Sequence, residues 1–364
     1  MSRSLARPSA LLAFAAFAAV LPFGLSASSL STATFVVIAA IAATGLNVLT
    51  GYAGQISLGH AFFLAAGAYT GAVLGGDHGV SAALWIPAAG VVAAAFGALV
   101  GPMALRLKGL YLAIVTLGVV FIGQHVLLNS AGISGGPQGR AFPPVVLGSF
   151  DLSPGQSLQL GGLTIDHDGL YYYLALLILA AATAFVWSLR RTRGGRAMLA
   201  VRERETCAAL MGVNVGRTKV VAFVVSAALA GVSGALYASY LSFAQPTQWN
   251  LDLSIQFIAA IIVGGMGTTA GPLLGSSVVF ALPSVLKNLP FVPEQGSGGI
   301  SVGDLTSICY GLLIVVFLVL EPRGLVGIAD RLRSLRSRHA APDRAPAPTP
   351  SSRIPINNPE EVHP

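Results

Sequence analysis

Long apolar runs, separated by short charged or glycine-rich breaks, set the plan of this chain. The runs cover residues 11–25, 34–49, a third continuing to about residue 74, then 82–105, 110–128, 169–189, 220–240, 253–286 and 305–320. A helix needs about 20 mostly apolar residues to cross a hydrocarbon core of about 30 Å, so each run of that order predicts one span. The 253–286 run is too long for one: at about 1.5 Å per residue it would reach about 50 Å. Gly264, Gly265, Gly267, Gly271 and Pro272 interrupt it, which predicts two passes or a re-entrant hairpin. The pattern as a whole predicts an all-α polytopic membrane protein with about 8–10 transmembrane helices.

The run at 11–25 follows Arg3 and Arg7 and precedes Ser26-Ala27-Ser28. A first span and a cleaved signal peptide both have this shape. We read residues 1–30 as a retained N-terminal helix. Residues 31–328 then form the transmembrane domain, with long loops at 129–168 and 190–219. The tail from 329 to 364 is rich in Arg and Pro and predicts disorder.

Composition agrees with the pattern. Charged residues make up 10% of the chain and hydrophobic residues 54%, whereas soluble domains carry about a quarter charged residues. No Asp, Glu, Lys or Arg occurs between Arg7 and Asp77. The net charge of +7 clusters at the ends of apolar runs, which excludes a nucleic-acid footprint. Cys207 and Cys309 fall in a loop and a span and read as reduced thiols.

The charge pattern also orients the chain. Arg190, Arg191, Arg193, Arg196, Arg202, Arg204, Arg217 and Lys219 share one loop. Each would cost about 2.5–3.5 kcal/mol at the bilayer centre, so the loop lies outside it. With ten passes and both termini cytoplasmic, 19 of the 21 Lys and Arg residues fall inside, and only Arg140 and Lys287 fall outside. The positive-inside rule selects this orientation. Within the loop, residues 196–211 hold good helix formers and no Gly or Pro, predicting one helix of about 24 Å. Gly212 stands where a C-terminal cap needs a left-handed residue. Such a helix is either a docking surface or a solvated connector.

Two uncharged breaks are candidate functional segments. Residues 45–60 place Asn47, Tyr52, Gln55, Ser57 and His60 among glycines that include Gly54 and Gly59. Irregular backbone at membrane depth survives only where it is buried in protein or faces water. The segment therefore lines or gates a pathway, or makes a tightly packed interhelical turn. The break at 264–272 has the same two readings. His125, near the end of its span, is expected to hydrogen-bond locally.

GLNVLTGYAGQISLGHAFFLAAGAYTG (45–71), KGLYLAIVTLGVV (108–120) and RAMLAVRERETCAALMGVNVGRTKVVAFVVSAALAGVSGALYA (196–238) resemble the permeases of bacterial branched-chain amino acid ABC importers. The likeness is to the longer of the two permease subunits and runs from about residue 35 to 330. Ile133–Gly139 is similar to the family's Thr-Gly-Gly-containing outer loop. The resemblance implies cytosolic ATPase subunits, a second permease, an extracytoplasmic solute-binding protein and a place in the bacterial cytoplasmic membrane. On the polar, glycine-rich character of their break, Asn47, Tyr52, Gly54, Gln55, Ser57, Gly59 and His60 are the candidate substrate-pathway residues. The resemblance implies ATPase coupling through Arg202, Glu203, Glu205, Ala208, Ala209 and Gly212. The usual coupling pattern is Glu-Ala-Ala, three residues, Gly. Cys207-Ala208-Ala209 and Gly212 match its spacing, with Cys in place of Glu.

The chain has no GxxxxGK[ST] segment, so ATP is expected on partner subunits and no cofactor or metal on this one. No paired carboxylates or nucleophile–base constellation occurs in a span, which argues against an enzyme. Urea or a short amide is the alternative cargo. An ATPase-independent carrier or channel is the alternative class.

Overall fold

The computed structural model describes residues 22, 26–107, 109–147, 150–152, 157–160, 163–287, 302–321, 324–328 and 331. The described residues between 26 and 328 form one compact unit. The predicted helix at 11–25 and nearly all of the tail lie outside the described residues, so neither expectation is addressed.

The described elements are helical, with short β ladders in the loops. Among the described residues, five helices are long and apolar enough to cross a membrane. The first is α1, Ala27–Leu46, which continues as a wide π-helical turn, Asn47–Tyr52. The others are α3 (Ala82–Val100), α5 (Leu110–Asn129), α7 (His167–Arg191) and α10 (Val215–Tyr240). Between them stand α2 (His60–Ala72), which also ends in a π turn, Val73–Asp77, and the one-turn helices α4 (Met103–Arg106) and α6 (Ala131–Ser134). Two short helices, α8 (Arg193–Glu203) and α9 (Glu205–Leu210), fill the basic loop. Three apolar helices close the described domain: α11 (Leu251–Gly264) and α12 (Gly271–Lys287), of 14 and 17 residues, and α13 (Val302–Leu320), of 19.

The core is built around α1 and α10. α1 begins one residue after Ser26, whose extended backbone and side chain cap the Ser29 amide. From Val37 to Leu46 every residue of α1 is buried, so protein surrounds it on all sides. α10 packs on α1, α2 and α3 through small residues, as SAALAGVSGALYAS predicts. Gly67 of α2 lies against the Gly231 backbone, where a Cβ would clash. Polar ties reinforce the contacts. Ser233 Oγ donates to the Ile38 carbonyl at 2.7 Å, and Tyr171 Oη donates to the Leu236 carbonyl at 2.7 Å.

The helix ends sort into two groups. At one end Asp77 pairs with Arg140, whose Nη1 donates to the Ile133 carbonyl at 2.9 Å. Here β1 (Arg140–Ala141) pairs antiparallel with β6 (Phe243–Ala244), joining the 129–168 loop to the linker after α10. That loop also carries the hairpins β2–β3 (Val146–Leu147 with Phe150–Asp151) and β4–β5 (Ser157–Leu160 with Leu163–Asp166). At the other end lie the Asn47–Tyr52 turn, the basic loop and the 265–268 break.

One expectation stands and one changes. The run at 253–286 is two helices, α11 and α12, separated by the Gly265–Ala270 break, and α12 lies along α1. Thr268, just before α12, meets Asn47 at the end of α1, and Ser284 meets Thr32 near its start at 2.9 Å. That is about 22 Å of shared length. The helix expected over 196–211 is instead two. Arg204 is extended (φ −156°, ψ 110°), and α9 restarts at Glu205. Glu205 bonds Lys219 at the base of α10 at 2.7 Å. That tie and the one made by Arg202 override the helical preference of the intervening sequence. The cap is as expected. Gly212 is left-handed (φ 81°), its amide bonds to Ala209, and the next amide bonds to Ala208, the two bonds of a Schellman end.

Candidate functional site

Three stretches that are far apart in the sequence meet at the Asn47 end. The first is the π turn. Widening the last turn of α1 places Asn47 (1% exposed) beside the 265–268 break. Its Nδ2 donates to the Thr268 carbonyl at 2.8 Å and its Oδ1 accepts from the Gly267 amide at 2.8 Å. One side chain thus satisfies a donor and an acceptor of irregular backbone, as burial requires.

The second stretch is the break itself. Gly265 and Gly267 have φ of 115° and 79°, so both suit glycine and not a side-chain-bearing residue. Thr268 Oγ1 donates to the Gly265 carbonyl at 2.8 Å and accepts from the Gly271 amide at 3.0 Å. Pro272 follows at the start of α12, where a missing amide hydrogen leaves no bond unmade. Gly264 and Gly271 let α11 and α12 close on each other.

The third is the basic loop. Arg202 Nη1 donates to the Gly51 carbonyl in the last turn of α1. Its side chain passes over Gly54, where a Cβ would sit 3.1 Å from Arg202 Cγ. At Gly267 a Cβ would sit 2.6 Å from Arg202 Nη1. The Arg190 guanidinium lies 5.8 Å from the Tyr52 ring centroid. Two cations therefore face the C-terminal end of α1, where the helix dipole is negative and the last carbonyls lack intrahelical donors.

The other predicted pathway residues hold the turn into α2. His60 is 1% exposed, its Nε2 bonds to the Ala42 carbonyl at 3.1 Å, and its ring meets Phe257 edge-on at 5.2 Å. The carbonyl can only accept, so Nε2 carries the proton. Ser57 Oγ accepts from the Gly59 amide at 3.2 Å, and the Gln55 carbonyl accepts from Thr50 Oγ1 at 3.0 Å. Gln55, Ser57 and Tyr52 are buried, while Gly54 is exposed.

Of the predicted coupling residues, Arg202 is turned onto the helices and Ala208 is buried, while Glu203 and Ala209 face outward. Glu205 pairs with Lys219, whose side chain is 1% exposed. Leu210 and Met211, at the tip, are 88% and 85% exposed. The His125 ring bonds locally as expected, with its Nε2 3.4 Å from Asn129 Nδ2 one turn on.

Sequence reasoning missed Thr116 and Ser254. Thr116 Oγ1 accepts from the Leu58 amide at 2.9 Å and Ser254 Oγ accepts from the Ala61 amide at 3.0 Å, capping the first turn of α2 from α5 and α11. Their only signal was a hydroxyl inside an apolar run.

The profile of the branched-chain amino acid transport system permease component matches residues 28–318. This chain belongs to that permease family. LivM, the high-affinity branched-chain amino acid transport system permease protein of Salmonella typhimurium, is 32% identical over 348 residues, covering 92% of this permease and 78% of LivM. LivH of the same organism is 25% identical over 297 residues, covering 79% and 91%. The fructose import permease protein FruG of Bifidobacterium longum is 27% identical over 319 residues, covering 84% and 85%. No solved structure matches this permease.

Proposed function

We propose that this permease is the membrane-spanning subunit of an ATP-driven importer for branched-chain amino acids, of the LivM kind. The identity to LivM over 92% of the chain carries the cargo reading. The Arg202 end is assigned to the cytoplasm because the basic loop lies there. The Asp77–Arg140 end then faces outward, and both termini are cytoplasmic. A second permease of the LivH kind completes the pathway, and a solute-binding protein delivers cargo to the outer face. Cytosolic ATPases bind the tip of the basic loop, where Leu210 and Met211 stand clear of the helices. ATP is held by those subunits, and this chain takes no cofactor or metal. Asn47, Tyr52, Gly54, Gln55, Ser57, Gly59 and His60 shape the inner part of the pathway, Asn47 and His60 by holding its walls together.

The likeness to FruG favours a sugar as the second reading of the cargo. Uptake of labelled leucine, fructose and urea is measured in vesicles holding this permease and its partner subunits, with and without internal ATP. ATP-dependent leucine uptake is expected. ATP-dependent uptake of fructose or urea alone overturns the cargo, and ATP-independent uptake overturns the class. Leu210→Asp is expected to abolish co-purification of the ATPases, and their retention overturns the docking assignment.

A further inference from the structure

We propose that Arg202 is a detachable cap on α1, through which movement of the basic loop reaches the Asn47–Tyr52 turn and the 265–268 break together. The inference rests on the reading of the 193–212 segment as facing the ATPases. It assigns Arg202 to the relay and Leu210 and Met211 to the docking surface.

Four observations carry it. Arg202 points away from the tip, onto the Gly51 carbonyl. That carbonyl belongs to the last turn of a helix, where no intrahelical amide is available. A guanidinium there both donates a hydrogen bond and opposes the negative end of the helix dipole. Second, the space around Arg202 is shaped by glycines. A Cβ at Gly54 or Gly267 would press on its stem or its head, at 3.1 and 2.6 Å. Third, the contact is shared. Gly51 and Gly267 are also neighbours of Asn47, which bonds the Gly267 amide and the Thr268 carbonyl. One arginine therefore touches both halves of the junction that Asn47 closes. Fourth, the attachment is built to separate. Arg202 stays exposed, so water can replace the bond when the loop moves. The Asn47 clamp, 1% exposed, keeps the two backbone segments moving as a unit.

A purely docking arginine would point outward, and a purely structural one would be sealed in the core. Arg202 is neither. Lysine would not substitute fully, because its ammonium is a compact, more strongly hydrated charge, whereas the guanidinium is planar and sheds water more readily.

The test is hydrogen exchange followed by mass spectrometry on the full importer, nucleotide-free and trapped with ATP and vanadate. In the wild type, trapping is expected to change exchange in residues 193–212, 47–56 and 265–272. In Arg202→Ala the ATPases still co-purify and the change at 193–212 persists. The changes at 47–56 and 265–272 fall at least fivefold. Arg202→Lys gives intermediate values. Three results overturn the proposal: no change at 47–56 in the trapped wild type, equal changes in Arg202→Ala and wild type, or loss of the ATPases in Arg202→Ala. Retention of the ATPases by Leu210→Asp would instead sink the docking assignment and leave these three outcomes to be judged separately.

Discussion

Replacing Asn47 by Leu should loosen the junction between the Asn47–Tyr52 turn and the 265–268 break without unfolding the bundle. The side chain makes two bonds of 2.8 Å, one to the Gly267 amide and one to the Thr268 carbonyl. Leucine keeps the volume and removes both. Each backbone group left without a partner in a buried site costs about 1–3 kcal/mol. The break is part-buried, so each group sits in the lower part of that range, and the pair together amounts to about 2–4 kcal/mol. At about 1.4 kcal/mol per factor of ten, local opening becomes roughly 30- to 1000-fold more frequent. Hydrogen exchange of peptides spanning 265–274 should accelerate by that factor in the isolated permease. Peptides around the β1–β6 ladder, at the far end, should keep wild-type protection. Asn47→Asp retains the acceptor for the Gly267 amide but sets a carboxylate against the Thr268 carbonyl, and should be at least as damaging. Protection at 265–274 within threefold of wild type in Asn47→Leu would refute the view that Asn47 clamps the break.

Two further predictions concern packing and charge. Glu205→Gln removes the carboxylate facing the buried Lys219 ammonium, and breaking a buried pair from one side is more damaging than removing both charges. ATP-dependent uptake should fall at least tenfold in Glu205→Gln and recover in part when Lys219→Met is added; an additive loss in the double variant would refute this. Gly67→Leu forces a side chain into the Gly231 backbone, and overpacking of this kind costs typically about 1–3 kcal/mol or more. The variant should show a lower melting temperature in detergent, and an unchanged melting temperature would refute the close crossing of α2 and α10.

Spans were legible because the membrane leaves its mark on every residue of a run: apolar content and length suffice. The left-handed end at Gly212 was legible for a similar reason, since few residue types tolerate that backbone. Partner choice was not. Nothing local says that Asn47 will reach a segment 220 residues away, or that Lys219 will fold inward on Glu205 instead of counting among the loop's outward charges. The break at Arg204 was invisible for the same reason. Its cause lies in contacts made by Arg202 and Glu205 with other elements, while the residues between are good helix formers. Asn47 and His60 stand out in the sequence as polar residues at a break, but the sequence could not distinguish a side chain that faces a cavity from one that bonds buried backbone.

The burial of α1 has a consequence for the order of biosynthesis. This helix leaves the ribosome early, yet one of its main neighbours, α10, starts about 170 residues later. At about 5–20 residues per second, α1 waits on the order of 10–30 s for that neighbour. During the wait its Ala- and Thr-rich surface meets lipid or the insertion machinery, a surface chosen for a protein interior and not for hydrocarbon chains. A newly made permease therefore passes through a stage in which its future centre is its periphery, and the bundle closes around α1 only after the second half of the chain has entered the membrane.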